Sequence, residues 1–194
     1  MDKLSYALGM NIASNLMSSG FKEIDLDSFT KALSDMKNNV PTSISVNEAN
    51  QLLQDYFTKI QDEMLNKNLE EGKAFLAENK KRPEVKTLPS GLQYEVLEEG
   101  DGKTPKSTDK VSCHYHGTLL NGTVFDSSIQ RGQPAVFGVN QVIKGWVEAL
   151  QLMKEGSKWR LFIPSDLAYG KQGAGNSIEP NSTLIFDVEL ISIV

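Results

Sequence analysis

Cysteine is almost missing from this chain. Cys113 stands alone among 194 residues, which excludes an intrachain disulfide and a cysteine-rich zinc site. Long apolar runs are missing as well, since no stretch approaches the roughly 18 consecutive residues of a membrane span. The opening Met1-Asp2-Lys3-Leu4-Ser5 has no basic segment leading into an apolar run, so no secretory leader is read there. A cytoplasmic address is the default expectation, or a periplasmic one if a leader has been trimmed away. Positive charge is also in short supply. Residues 1–82 carry 10 basic and 12 acidic side chains and residues 83–194 carry 10 and 13, giving a net charge of -5. Neither half offers the basic face that binding to nucleic-acid phosphates demands. No Walker-type glycine loop is present, and no Gly-x-Gly-x-x-Gly follows a strand. Gly170, Gly173 and Gly175 precede no helical pattern and read as a loop.

What is present divides into two halves. The first, residues 1–82, reads as helical. Leu4, Ala7, Leu8, Ile12 and Leu16 form one stripe at helical spacing that stops at Gly20. Asp25 or Asp27 can cap a second helix with apolar positions Leu26, Phe29, Leu33 and Met36. Ser45-Val46-Asn47-Glu48 has the capping-box pattern and opens a third, running towards Lys80. About 35 residues of helix would extend roughly 50 Å. Only its first part, through Leu65, carries a wide apolar face, so the remainder is expected to be a solvated spacer with Gly72 as its weak point. Two short helices and part of a long one make a thin core. A two-fold partner burying the exposed stripes is expected rather than a self-contained three-helix bundle. Met10, Met17, Met36 and Met64 suit such irregular contacts.

Pro83 ends the helical half, and from 83 to 194 the period changes from helix to strand. Leu92-Tyr94-Val96, Val111-Cys113-Tyr115, Trp159-Leu161-Ile163 and Leu184-Phe186-Val188-Leu190 alternate with polar neighbours, as half-buried antiparallel strands do. Asn121-Gly122 is a hairpin signal. One short helix is expected over Gly145–Met153, with Trp146, Ala149, Leu150 and Met153 on its apolar face. The fold class is therefore α+β: an all-α amino-terminal domain with a long linking helix, then an antiparallel sheet wrapped around one short helix. The connection from Ser165 to Ser182 is long enough to belong to a binding site, with Tyr169 and Ile178 able to lean over a cleft.

Polar catalytic machinery is hard to find. His114 and His116 project to one face of a strand without an evident third ligand, so exposed strand histidines are expected rather than a metal site. Cys113 should face the opposite way, which disfavours a Cys-His pair. No histidine is positioned by the sequence to serve Ser127 or Ser128. Asp126 follows Phe125 and can pair with Arg131, either as a turn aspartate or as the polar edge of a site. A lone tryptophan such as Trp146 is more often core than cleft floor. The number of aromatics near it shifts the balance towards a cleft: Tyr115, Phe125, Phe137, Tyr169 and Phe186. An apolar cleft with few titratable groups suits rotation about an Xaa-Pro bond, a reaction that needs no proton transfer between side chains and no cofactor.

Several stretches, in order, resemble the FKBP family of peptidyl-prolyl cis-trans isomerases. They are Tyr115-His116-Gly117, Gly122-Thr123-Val124-Phe125-Asp126-Ser127-Ser128, Arg131-Gly132, Gln141-Val142-Ile143-Lys144-Gly145-Trp146, Ala168-Tyr169-Gly170 and Leu184-Ile185-Phe186-Asp187-Val188-Glu189-Leu190. They span about the last 100 residues. The resemblance implies a pocket floored by Trp146 and walled by Tyr115, Phe125, Phe137, Val142, Ile143, Ile178 and Phe186. It also implies that the Ile143 backbone N–H and the Tyr169 hydroxyl bind carbonyls, with Asp126 at the edge. Catalysis is thus expected from Asp126, Tyr169, Phe125, Trp146 and Ile143. Implied partners are proline-containing unfolded or partly folded proteins and macrolides such as tacrolimus or rapamycin. The front half, through Leu4-Ser5-Tyr6-Ala7-Leu8-Gly9 and Phe75-Leu76-Ala77-Glu78-Asn79-Lys80, resembles the bacterial macrophage infectivity potentiator class, which implies a homodimer with chaperone activity. The chain departs from the family at Ile178-Glu179-Pro180, where two prolines often follow the isoleucine, and at Lys144, where bacterial relatives often have proline. Those changes bear on residue preference and macrolide affinity. The opposing reading is a non-catalytic chaperone or adaptor that uses the pocket only for binding.

Overall fold

Asp2 caps the first helix, α1 (Lys3–Ser18), its carboxylate accepting from the Ser5 amide at 2.7 Å. Asp25 does the same for α2 (Leu26–Lys37), accepting from the Ser28 amide at 3.3 Å. The Ser45 hydroxyl accepts from the Glu48 amide at 3.1 Å and opens α3 (Val46–Asn79). The structure, a computed structural model, describes residues 1–21 and 23–194. They form two compact units, Met1–Asp62 and Glu63–Val194.

In the first unit, Phe21 stacks on Tyr56 with ring centroids 4.7 Å apart and meets Phe57 edge-on at 5.4 Å. The Tyr56 hydroxyl donates to the Gly20 carbonyl at 3.3 Å. Yet none of the described residues of this unit is buried, and Leu4, Leu8, Met10 and Met36 remain largely exposed. The helices have caps and stripes but no core of their own.

The second unit is built on a seven-stranded antiparallel sheet. Its strands are β1 (Val85–Thr87), β2 (Gln93–Glu98), β3 (Lys110–Leu119), β4 (Val124–Ser127), β5 (Ala135–Gly138), β6 (Lys158–Ile163) and β7 (Leu184–Ile193). They lie in the order β1-β2-β6-β7-β3-β4, with β5 pairing to β3. β1 and β5 are too short for periodicity to reveal them. One side of β3 is shared, taking β5 against residues 110–113 and β4 against residues 116–118. The helix α4 (Lys144–Leu150) lies on the inner face and buries Trp146, Ala149 and Leu150 among Val111, Cys113, Leu161, Val188 and Leu190. The β3–β4 hairpin forms at Asn121-Gly122, as the sequence signals. Leu119 accepts from the Gly122 amide at 2.9 Å and its own amide donates to the Thr123 carbonyl at 2.9 Å, so of Asn121 and Gly122 only the glycine is left-handed.

The expectation that the rear of α3 is a solvated spacer is corrected. Phe75 packs on Phe162 of β6 at 5.9 Å, and Asn79, which is buried, donates to the Gln93 side chain at 2.9 Å. Gln93 in turn donates to the Leu76 carbonyl at 2.9 Å. Gly72 is buried rather than weak, because its bare Cα is what lets the helix approach Thr183. The helix lost its wide apolar stripe here because amide side chains and a glycine, not leucines, make this contact.

Candidate active site

Alternation along β3 turns Val111, Cys113 and Tyr115 to the inner face, and pairing then assembles the rest around Tyr115. Phe137 of β5 lies opposite Val111, and Phe186 of β7 lies opposite Gly117. β4 contributes Phe125 and Asp126. Val142 and Ile143 lead into α4, which offers Trp146 from its first turn, while Tyr169 and Ile178 come from the connection between β6 and β7. These residues line one cavity of about 660 Å³. It therefore gathers all ten residues that the sequence singles out. Gln141, Ala174, Gly175 and Ser177 line it too and were missed. Gln141 adjoins the Val142-Ile143 stretch, and that adjacency was a usable signal. The other three lie in an irregular loop with no period to read.

Trp146 is both core and floor. It is only 4% exposed, yet it lines the cavity. Tyr115, Phe137 and Phe186 meet it edge to face, with centroids at 5.5, 5.7 and 5.3 Å and interplanar angles of 84°, 80° and 82°. Phe125 meets Phe186 in the same way at 5.3 Å. Edge-to-face contacts suit the ring quadrupoles and hold these aromatics in one arrangement around the cavity. Gly117 makes this cluster possible, because a Cβ there would stand 2.7 Å from both the Phe125 and Phe186 rings.

The polar edge is self-contained. Arg131 ion-pairs with Asp126 and donates to the Tyr115 hydroxyl at 2.6 Å, and that hydroxyl donates to the other Asp126 oxygen at 2.6 Å. Burial pulls the Asp126 carboxyl upward, but the bonds from Tyr115 and Arg131 outweigh it and hold the group below the ordinary aspartate range. Burial and the bond to Asp126 raise Tyr115. Burial, then the Asp126 charge, raises Tyr169, whose hydroxyl therefore stays protonated as a donor. Asp126 is thus a fixed anion with its partners in place. Ile143 is the N-cap of α4; its carbonyl accepts from Trp146 and Val147 at 2.9 and 3.1 Å. No acceptor for its own amide stands among the described residues, as expected for a helix entrance.

Nucleophilic chemistry finds little support. Strand pairing does bring a histidine to each serine, which spacing alone did not reveal: His114 Nδ1 lies 3.0 Å from Ser128 and His116 Nδ1 3.0 Å from Ser127. Both serines are buried outside the cavity, and Ser128 accepts from the Tyr115 amide at 2.7 Å, so these pairs brace the hairpin. Cys113 is buried, and burial, with the nearby Glu189 charge, pushes its thiol up to about 12. Among the described residues no group of three or more His, Cys, Asp and Glu is arranged to hold a metal ion. A second cleft, of about 650 Å³, is lined by Phe75, Phe162, Arg82, Arg160 and Asp187. Its charges are already matched, with Arg160 on Asp187 at 2.6 and 2.8 Å and Arg82 on Glu95 at 2.7 Å.

Comparison with known proteins points one way. Residues 101–191 match the sequence family described as FKBP-type peptidyl-prolyl cis-trans isomerase, and residues 1–96 match the domain described as amino-terminal to it. The peptidyl-prolyl cis-trans isomerase Mip of Coxiella burnetii is 46% identical over 99% of this chain and 86% of its own length. A protein of Legionella longbeachae named outer membrane protein MIP is 42% identical over 99% of this chain and 85% of its own. That name gives the expected cytoplasmic address no support. Among solved structures, FkpA from Escherichia coli superposes with a TM-score of 0.84 at 36% identity, covering 98% of this chain and 92% of that one.

Proposed function

This chain belongs to the FKBP-type peptidyl-prolyl cis-trans isomerases, and from that premise we propose that it rotates Xaa-Pro bonds in the aromatic cavity around Trp146. The observation that carries this reading is an aromatic-walled cavity whose carboxylate, Asp126, is already ion-paired with Arg131 and hydrogen-bonded by Tyr115. Nothing there is poised to attack or to exchange a proton, and this reaction asks for neither.

The barrier to rotation, about 18–20 kcal/mol, arises from amide resonance. A twisted amide is less charge-separated than a planar one, so transfer of the prolyl ring from water to a dry cavity favours the twisted state. The Trp146 face supports the ring, and Phe125 and Phe186 enclose it. The Ile143 amide, without an acceptor among the described residues, and the protonated Tyr169 hydroxyl hold the flanking carbonyls and leave rotation about the Xaa-Pro bond free. Lowering the barrier by about 5–6 kcal/mol gives roughly 10⁴-fold acceleration. Macrolides such as tacrolimus and rapamycin would occupy the same cavity in place of the prolyl ring.

The amino-terminal unit supports a second part of the proposal, a homodimer that handles unfolded chains. Its helices leave Leu4, Leu8, Met10 and Met36 exposed and bury no described residue of their own, which a second copy would remedy. Proline-containing, partly folded proteins are the substrates, and chaperone activity follows from two such sites in one particle.

The test is cis-to-trans relaxation of short Xaa-Leu-Pro-Phe peptides followed by NMR exchange, with and without a macrolide. Acceleration that the macrolide abolishes is the expected result. A folded protein that binds the macrolide but leaves the relaxation rate unchanged would instead establish a binding-only module.

A further inference from the structure

The roof of the cavity is tied to a helix outside it. The Asn68 carboxamide on α3 donates to the Glu179 carboxylate at 3.1 Å and to the Pro180 carbonyl at 2.9 Å. Asn181, buried and in the left-handed region at φ 59°, donates its side chain back to the Leu65 carbonyl at 3.1 Å. One turn further along, a Cβ on Gly72 would stand 2.3 Å from the Thr183 hydroxyl, so helix backbone and loop end are in direct contact. Three successive turns of α3 therefore hold residues 179–183.

Those residues are the continuation of the cavity wall. Ile178, which lines the cavity and is buried, immediately precedes Glu179. It is closed on the loop's other limb by two bonds with Ala174, at 2.9 and 3.1 Å. The Asn181 amide donates to the Gly170 carbonyl at 2.8 Å, directly after Tyr169. A single short path thus runs from the Asn68 carboxamide through Glu179 and Pro180 to Ile178, and through Asn181 to Gly170 and Tyr169. Loops of this length ordinarily keep several conformations, and ordering them on ligand binding costs free energy.

We propose that Asn68 is a positioning residue for the isomerase reaction: through Glu179 and Pro180 it holds the Ile178–Tyr169 roof in its substrate-binding arrangement. Glu179 is then a specific partner of α3 and not merely a rim charge. The inference rests on the isomerase reading. It adds that substrate affinity is set in part by a helix that touches no substrate.

The test compares Asn68→Ala, Glu179→Ala and the double variant with the wild-type full-length chain. Lys67→Ala serves as a control, since among the described residues Lys67 pairs with Glu71 on the same helix and not with the loop. Each single variant should raise KM for an Xaa-Leu-Pro-Phe peptide by about three- to tenfold, because the roof must now be ordered at binding. Each should leave kcat within about twofold, because the groups facing the twisted amide are unchanged. The double variant should match Asn68→Ala alone, since that change already removes the bond to Glu179 together with the one to Pro180. Glu179 is exposed, so its variant keeps the test open even if the helix variant folds poorly. Unchanged KM in both single variants, beside an active wild type, would overturn the proposal. So would a fall in kcat at constant KM, or a fully additive double variant. An inactive wild type and control would instead count against the isomerase reading itself.

Discussion

Asp126 is held by two donors at once, and this fixes what acid should do to it. Its folded-state value lies below the ordinary 3.8, so its bonds to Tyr115 and Arg131 stabilise the fold above that value and are lost as pH falls through the lower one. The urea midpoint of the wild type should therefore exceed that of Asp126→Asn near neutrality, and the gap should close as pH drops below about 4. Between pH 5 and 8 the isomerase rate should show no inflection from this residue. Tyr169→Phe removes one hydroxyl and no packing. It should cost roughly three- to tenfold in kcat/KM on peptide substrates, the worth of one hydrogen bond of about 1 kcal/mol. At this scale the sequence was informative. The Asp126–Arg131 spacing announced the ion pair, but nothing in it announced that Tyr115 would complete a three-way arrangement, because strand pairing alone decides which inward tyrosine reaches the hairpin.

The elements were legible in proportion to their period. Long alternating runs revealed β2, β3, β6 and β7, whereas β1 and β5 hold only three and four residues and offered no repeat. The rear of α3 misled for a related reason. Hydrophobic stripes signal packing against apolar surfaces, and this segment packs through Asn68, Gly72, Phe75 and Asn79, which a hydropathy pattern counts as mostly polar. Glycines carry a parallel message. Gly117 gives no signal of function by type, yet it admits two rings that any Cβ would strike at 2.7 Å. Gly117→Ala should lower stability by about 1–3 kcal/mol in urea unfolding, as overpacking does, and should weaken macrolide binding as Phe125 and Phe186 shift. An unchanged midpoint would mean the two rings can part at no cost, and the cavity walls would be softer than their edge-to-face contacts imply.

For the molecule as a whole, the contrast between its halves sets the expectation. One unit has a continuous core and the other has none of its own, so light scattering at micromolar concentration should report twice the chain's 21.4 kDa. Replacing Leu4 and Leu8 by glutamate should halve that mass. The charged variant should still isomerise short peptides at near the wild-type rate but lose its help in refolding larger proline-containing chains. A monomer in the unaltered protein would remove the two-site account of its chaperone role. The same core that shapes the cavity also hides the chain's one thiol, and that has a practical side. Maleimides react with exposed thiolates, and Cys113 is neither exposed nor ionised near neutral pH. The natural protein is therefore silent to such reagents. A Lys171→Cys substitution at this exposed loop position would place a single reactive handle beside the cleft, and a dye attached there would report ligand arrival with no background to subtract.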